Sequence, residues 1–210
     1  MDFIWYVLFS TLEGMSTLIC MFCLFRFGIR RYELKIFIAS LLFSLLSYAL
    51  RVELNFEDFF PVVMLIMFWL FAYVIIKIPL FWSFVISVIS NTFVFALQTV
   101  LLLLSIRTNL VSLEGVQSYQ FDARILQGLS AFVTISLSLF LYKKGFGFSF
   151  TFDTFKLKSE NTFMLSIVCV SFIILLVVFI LQNLFYGAIV AALLFIYMLY
   201  LGVRKERTEL

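Results

Sequence analysis

Histidine is missing altogether from this chain, proline occurs only twice, and 13% of the residues are charged. Without an imidazole, no zinc-protease His pair, no Ser-His or Cys-His hydrolase and no histidine-kinase phosphoacceptor can be assembled. The eight glycines form no phosphate-cradling Gly-Lys-Ser/Thr loop, which speaks against nucleotide hydrolysis. The expectation is a non-enzyme without a cofactor. The three cysteines, Cys20, Cys23 and Cys169, all fall inside apolar runs, leaving no positions for a disulfide framework. Cys20-x-x-Cys23 has the spacing of a metal or redox pair, but with neither a second pair nor a histidine it reads as two buried thiols acting as small hydrophobes. So few charges also leave too little polar surface to coat a water-soluble globule.

What fills the chain instead is apolar: 64% hydrophobic residues, 29 of them phenylalanine, with a mean hydropathy of +1.15 over 210 positions. That is the composition of a protein whose solvent is lipid. One membrane domain over residues 1–210 is the simplest organisation, because no internal repeat, Pro/Gly-rich linker or low-complexity tail divides it. The N-terminus has no positive region ahead of its apolar stretch and no small-residue cleavage pattern after it, so it reads as a retained first span.

A bilayer core of ~30 Å needs ~20 helical residues per crossing. That ruler yields an all-α bundle of seven spans: Phe3 to Phe25, Tyr32 to Arg51, Phe60 to Ile78, Leu80 to Ile106, Ile125 to Tyr142, Phe163 to Gln182 and Leu184 to Val203. Lys77-Ile78-Pro79 separates the third from the fourth, since a charge seeks the interface and proline disfavours helix in the residue before it. Gln182-Asn183 separates the sixth from the seventh, because a single helix from Phe163 to Val203 would far exceed the membrane. With the N-terminus outside and the C-terminus inside, twelve of the fifteen Lys and Arg residues fall in cytoplasmic loops or at the C-terminus, as the positive-inside rule requires. The clustered charge gives no reason to invoke nucleic acid; the expected partners are the lipid bilayer and a membrane or cytoplasmic protein.

Polar residues inside the spans recur at helical spacing. Ser10, Glu13, Gly14, Thr17 and Cys20 form one stripe, and Ser40, Ser44, Ser47, Tyr48 and Arg51 a second. Ser83, Ser87, Ser90, Asn91, Gln98 and Ser105 form a third, and Gln127, Thr134 and Ser138 a looser fourth. The serines read first as packing residues that let membrane helices approach and hydrogen-bond. Glu13, Arg51, Asn91, Gln98 and Gln127 cost more to bury and are the candidate ligand-binding residues. Counting depth from the predicted span ends places Glu13 about 15 Å below the outer surface and Asn91 at a similar level, so a Glu13 to Asn91 hydrogen bond is geometrically reasonable, with Arg51 too high for a direct pair without strong tilt. Glu13 can equally be a packing residue bonded to a neighbouring helix.

After the fifth span comes Lys143-Lys144-Gly-Phe146-Gly-Phe148-Ser-Phe150-Thr-Phe152, a period-two aromatic pattern beside cations. A short extended ribbon, an aromatic segment lying on the inner leaflet, or a partner-docking loop would each use that period.

Glu13 in an apolar first helix, followed by Leu24-Phe-Arg-Phe-Gly-Ile-Arg-Arg-Tyr32, the Ser-rich second span ending Ser47-Tyr-Ala-Leu-Arg51, and Leu141-Tyr-Lys-Lys-Gly-Phe-Gly-Phe-Ser-Phe150, resembles the multi-span sensor half of peptide-receptor kinases of the accessory-gene-regulator type from Gram-positive bacteria. Such kinases continue into a cytoplasmic ATP-binding domain, whereas this chain runs only seven residues past Val203. The resemblance therefore implies a free-standing sensor or regulatory subunit in the bacterial cell membrane. Two other readings compete with it: the substrate-binding subunit of a small-molecule importer, and a structural assembly factor. Against transport stands the lack of an internal proline in any span, since secondary transporters use broken helices.

Overall fold

The structure, a computed structural model, describes residues 3–53, 60–108, 110 and 121–148. Every regular element among them is helical: α1 (Phe3–Leu24), a short 3-10 turn (Ile29–Arg31), α2 (Glu33–Tyr48), α3 (Phe60–Phe71), α4 (Leu80–Arg107) and α5 (Phe121–Lys143). Helices α2 and α3 each widen into π-helical bonding at their ends, over Ala49–Glu53 and Ala72–Ile76. Four helices are long and apolar enough to cross a membrane: Phe3–Leu24, Glu33–Val52, Leu80–Arg107 and Ala123–Lys143. They match the first, second, fourth and fifth expected spans closely. The third is a shorter apolar helix, Phe60–Ile76, and the expected sixth and seventh spans lie outside the described residues.

Hydrogen bonds between helices fix their directions. Tyr6 shares a 2.7 Å bond with Ser47, and the Ser44 hydroxyl donates to the Val7 carbonyl at 2.9 Å, so α2 runs antiparallel to α1. A Cβ added to Gly14 would sit 3.4 Å from the Ser40 Cβ, which is how closely these two helices approach. Small and hydroxylated residues allow that approach, and dispersion between the touching surfaces holds membrane helices together where lipid offers no hydrophobic gain. Trp69 donates to the Leu80 carbonyl at 3.0 Å, closing the antiparallel α3–α4 hairpin. The backbone N–H of Phe148, just past α5, donates to the Leu24 carbonyl at the end of α1 at 2.7 Å, so α5 and α1 end together.

Helix α1 lies in the middle, packed against α2, α4 and α5. The core around its second half is built from Leu18, Met21, Phe22, Phe71, Val85, Ile86 and Val88. Along α4, the hydroxyls of Ser83, Ser87, Ser90, Thr92 and Thr99 each bond a carbonyl four residues back, at 2.8 Å. Their polarity is thereby satisfied within the helix, leaving a smooth narrow face for neighbours.

The helix ends explain where the chain turns. Helix α1 closes with a Schellman arrangement in which Phe27 N–H bonds the Phe22 carbonyl at 2.8 Å and Arg26 N–H bonds Cys23 at 3.3 Å. The rings of Phe22 and Phe27 meet at 5.7 Å, the apolar contact that accompanies this cap. Arg26 takes the left-handed position at φ 53°. Helix α5 ends the same way, with Gly145 at φ 82° and Phe146 N–H bonded to the Leu141 carbonyl at 3.0 Å. Helix α3 stops at Lys77, also left-handed at φ 63°, and α4 begins after Pro79, as the Lys-Ile-Pro signal implied. A side-chain-bearing residue held in that region costs on the order of 1 kcal/mol.

Of the structures open to the aromatic alternation after α5, the extended ribbon does not form over 146–148: Phe146 is 63% exposed, whereas Phe148 is buried against the Phe25 ring at 5.4 Å. No strand forms over 146–148, because the α5 cap turns the chain and Phe148 is drawn onto the end of α1. Lys143 ends α5, and Lys144 rests its ammonium over the Phe140 ring at 4.9 Å. Phe150 and Phe152 lie outside the described residues. The docking leaves no room beside Gly147, where an added Cβ would meet the Leu24 carbonyl at 2.9 Å and Arg26 Cγ at 2.8 Å. Gly147→Ala should therefore detach Phe148 and destabilise the folded protein by about 1–3 kcal/mol. A lowered Tm in detergent is the expected result; Gly28→Ala, with nothing near its Cβ, should leave Tm within a degree or two of wild type.

Candidate functional site

Glu13 sits midway along α1, ten residues from Phe3 and eleven from Leu24, and its carboxyl group joins three helices. Gln98 Nε2 on α4 donates to Oε1 at 2.5 Å, and Gln127 Nε2 on α5 donates to Oε2 at 3.3 Å. Each of the two carboxyl oxygens thus accepts from one amide donor, and each donor comes from a different helix. The backbone carbonyl of Glu13 is occupied too, accepting from Ser16 at 2.7 Å and Thr17 at 3.1 Å. All three long side chains are half-buried, so the cluster borders accessible space.

The structure thus brings together three of the five expected residues. Asn91 is the correction: its amide donates to the Ser87 carbonyl of its own helix at 2.9 Å and does not reach Glu13. The expected pairing assumed that α1 and α4 end level at the basic side of the bundle. Helix α4 has 28 residues against 22 for α1, and its longer run puts Gln98 level with Glu13. Asn91 is seven residues from Gln98 along α4, or about 10 Å by helical rise, which is the size of the error in depth. Arg51 stays apart, as expected from its height, with its guanidinium 3.6 Å from the centre of the Phe60 ring.

One residue was not foreseen as part of this region. Arg124 lies three positions before Gln127 on α5, a spacing that puts both on one helical face. Its Nε is buried and has no hydrogen-bond partner among the described residues. The signal was present in the sequence as Arg124-x-x-Gln127, but the arginine read as a charge at the end of a span. Below Gln127 on the same stripe, the hydroxyl of Thr134 is fully buried and likewise has no partner among the described residues. On the α1 side, Cys20 and Cys23 are buried free thiols. Among the described residues no group of His, Cys, Asp or Glu is placed to hold a metal ion.

No family model matches the chain, and no curated protein or solved structure shows significant similarity to it. The class that the fold defines is a helical protein with, among the described residues, four helices long and apolar enough to cross a membrane, and a Glu13 carboxyl group shared by two glutamines from neighbouring helices.

The pairing leads to a contrast between two substitutions. Glu13→Leu removes two interhelical bonds, each worth ~0.6–1.7 kcal/mol in membrane proteins, and strands two amides. It should cost about 1–3 kcal/mol in a reversible unfolding assay, whereas Asn91→Leu, which loses only a bond within its own helix, should stay within about 0.5 kcal/mol of wild type.

Proposed function

We propose that this chain is a non-enzymatic integral membrane receptor or regulatory subunit of a bacterial cytoplasmic membrane, spanning it seven times with the N-terminus outside. It takes a small or peptide ligand from the outer side and passes a helix shift to a membrane or cytoplasmic partner. The observation that carries this reading is the Glu13 carboxylate held by glutamines from two other helices. An incoming amide, hydroxyl or ammonium group competes with Gln98 or Gln127 for the same oxygens, and so alters how α4 and α5 sit against α1. Arg124, whose buried Nε has no hydrogen-bond partner among the described residues, supplies a positive group one turn from Gln127 that suits a ligand carboxylate. The far end of the same α1–α5 pair is tied by the Phe148 to Leu24 bond, and from there the chain enters the Lys- and Phe-rich loop proposed as the output.

The orientation draws support from where the basic residues lie. Helices α1, α3 and α5 end on one side of the bundle, and Arg26, Arg30, Arg31, Lys35, Lys77, Lys143 and Lys144 all belong to the connections there. Only Arg51, Arg107 and Arg124 mark the other side among the described residues. The positive-inside rule then puts the first side in the cytoplasm. The resemblance to accessory-gene-regulator sensors points the same way.

Gentle purification followed by mass spectrometry of retained small molecules tests the ligand site: wild type should carry a compound that Glu13→Gln and Arg124→Ala retain at least ~10-fold less, about 1.4 kcal/mol of binding. Net uptake of that compound in cells, dependent on Glu13, would instead make the chain a transport component. For the orientation, in a background with the native cysteines replaced, an impermeant maleimide should label Arg107→Cys on intact cells and Arg30→Cys only after permeabilisation. The reverse pattern would invert the receptor and place its ligand side in the cytoplasm.

A further inference from the structure

At the basic end of the bundle, away from Glu13, the α1–α2 connection and the α3–α4 connection border an open cleft of about 460 Å³. It is lined by Phe27, Gly28, Arg31 and Tyr32 from the first and by Ile76, Lys77, Ile78 and Pro79 from the second. The volume falls within the ~300–1,000 Å³ usual for small-molecule sites. Two cations from separate connections line this one space, and no acidic residue does. Lys35 adds a third positive charge beside it, with its ammonium 5.3 Å from the Tyr32 ring centre. Among the described residues no ion pair neutralises Arg31 or Lys77.

The backbone fixes one of these cations in place. Lys77 holds a left-handed conformation, φ 63°, at the end of α3, a position that suits glycine. Pro79 then forces an extended entry into α4, and Ile78 is buried in the core, so the strained turn is fixed from both sides. Three of the four helices that these connections join, α1, α2 and α4, are long enough to cross a bilayer, and a cleft at their ends falls at the level of lipid headgroups rather than in the hydrocarbon.

We propose that this cleft binds the phosphate of an anionic phospholipid headgroup, gripped by the Arg31 guanidinium and the Lys77 ammonium. Arginine offers a planar fork that matches phosphate oxygens, and lysine a compact charge on a flexible stem. Basic pockets between membrane helices recognise headgroups by this chemistry. The apolar residues of the cleft, Phe27, Ile76 and Pro79, face the same space and suit the glycerol and upper acyl region. The inference goes beyond the receptor reading, since it concerns different residues and holds whichever side of the membrane this end occupies.

The test uses the full chain in neutral detergent, with dioleoyl phosphatidylglycerol and phosphatidylcholine as probes and Trp fluorescence as the readout of Tm. Phosphatidylglycerol should raise Tm saturably, and phosphatidylcholine should not. In Arg31→Gln/Lys77→Gly the apparent affinity for phosphatidylglycerol should fall roughly 30-fold, the loss expected for two cations near a membrane surface. Glycine is chosen at 77 because it relieves the backbone strain, so a lost response cannot be put down to a failed fold. Lys143→Gln/Lys144→Gln removes as much charge from the same end without touching the cleft and should bind within about 3-fold of wild type. Equal weakening in the two double variants would overturn the site in favour of diffuse surface attraction, as would an equal response to phosphatidylcholine. Displacement of the lipid by low-millimolar inorganic phosphate would overturn the lipid as the source of the bound group.

Discussion

A single carboxylate in the middle of α1 is the constraint on which the arrangement of this bundle turns. Burying a polar group among apolar helices is costly unless it is bonded, and here both oxygens find amide donors on other helices. That requirement sets the depth of α4 relative to α1 and the rotation of α5 about its axis. Once Gln98 and Gln127 face Glu13, helical periodicity carries Ser105 on α4 and Ser130, Thr134 and Ser138 on α5 to buried positions. Apolar packing alone could not choose among the many rotations open to helices so uniformly rich in Leu, Phe and Ile.

The remaining contacts hold what the carboxylate specifies. Serines 40, 44 and 47 make α2 narrow where it meets Gly14, Val7 and Tyr6, and the hydroxyls bonded there add a modest polar glue. At the opposite end the capped terminus of α1 accepts the Phe148 N–H, so the parallel pair α1 and α5 is joined at the middle and at one end. The candidate lipid cleft stands at that same end, between connections whose backbone is held in strained turns.

Much of the helical layout was legible because hydropathy, a ~20-residue ruler and one proline carry it. The Lys77-Ile78-Pro79 boundary and the extents of α1, α2 and α4 follow from local chemistry that no tertiary contact overrides. The polar stripes were equally readable, since their spacing is that of the helix itself. The partner of Glu13 was not, because depth along a neighbouring helix depends on where that helix starts relative to the first, and a 28-residue helix has slack that sequence spacing does not reveal. Phe146 and Phe148 left several paths open for a different reason. Their period of two matched a ribbon, but the left-handed Gly145 and the cap on Leu141 decide the path, and only the docked α1 terminus shows why one ring is buried and the other is not. Arg124 was hidden by its position near a span end, where a cation needs no other explanation.

The central claim is an energetic coupling between Glu13 and two glutamines, and a double-mutant cycle measures it directly. Pairing Glu13→Leu with Gln98→Leu, and separately with Gln127→Leu, should give interaction energies of about 0.5–2 kcal/mol in unfolding measurements, while pairing Glu13→Leu with Asn91→Leu gives a value near zero. Strict additivity with both glutamines, or a coupling to Asn91 as large as theirs, would contradict the account.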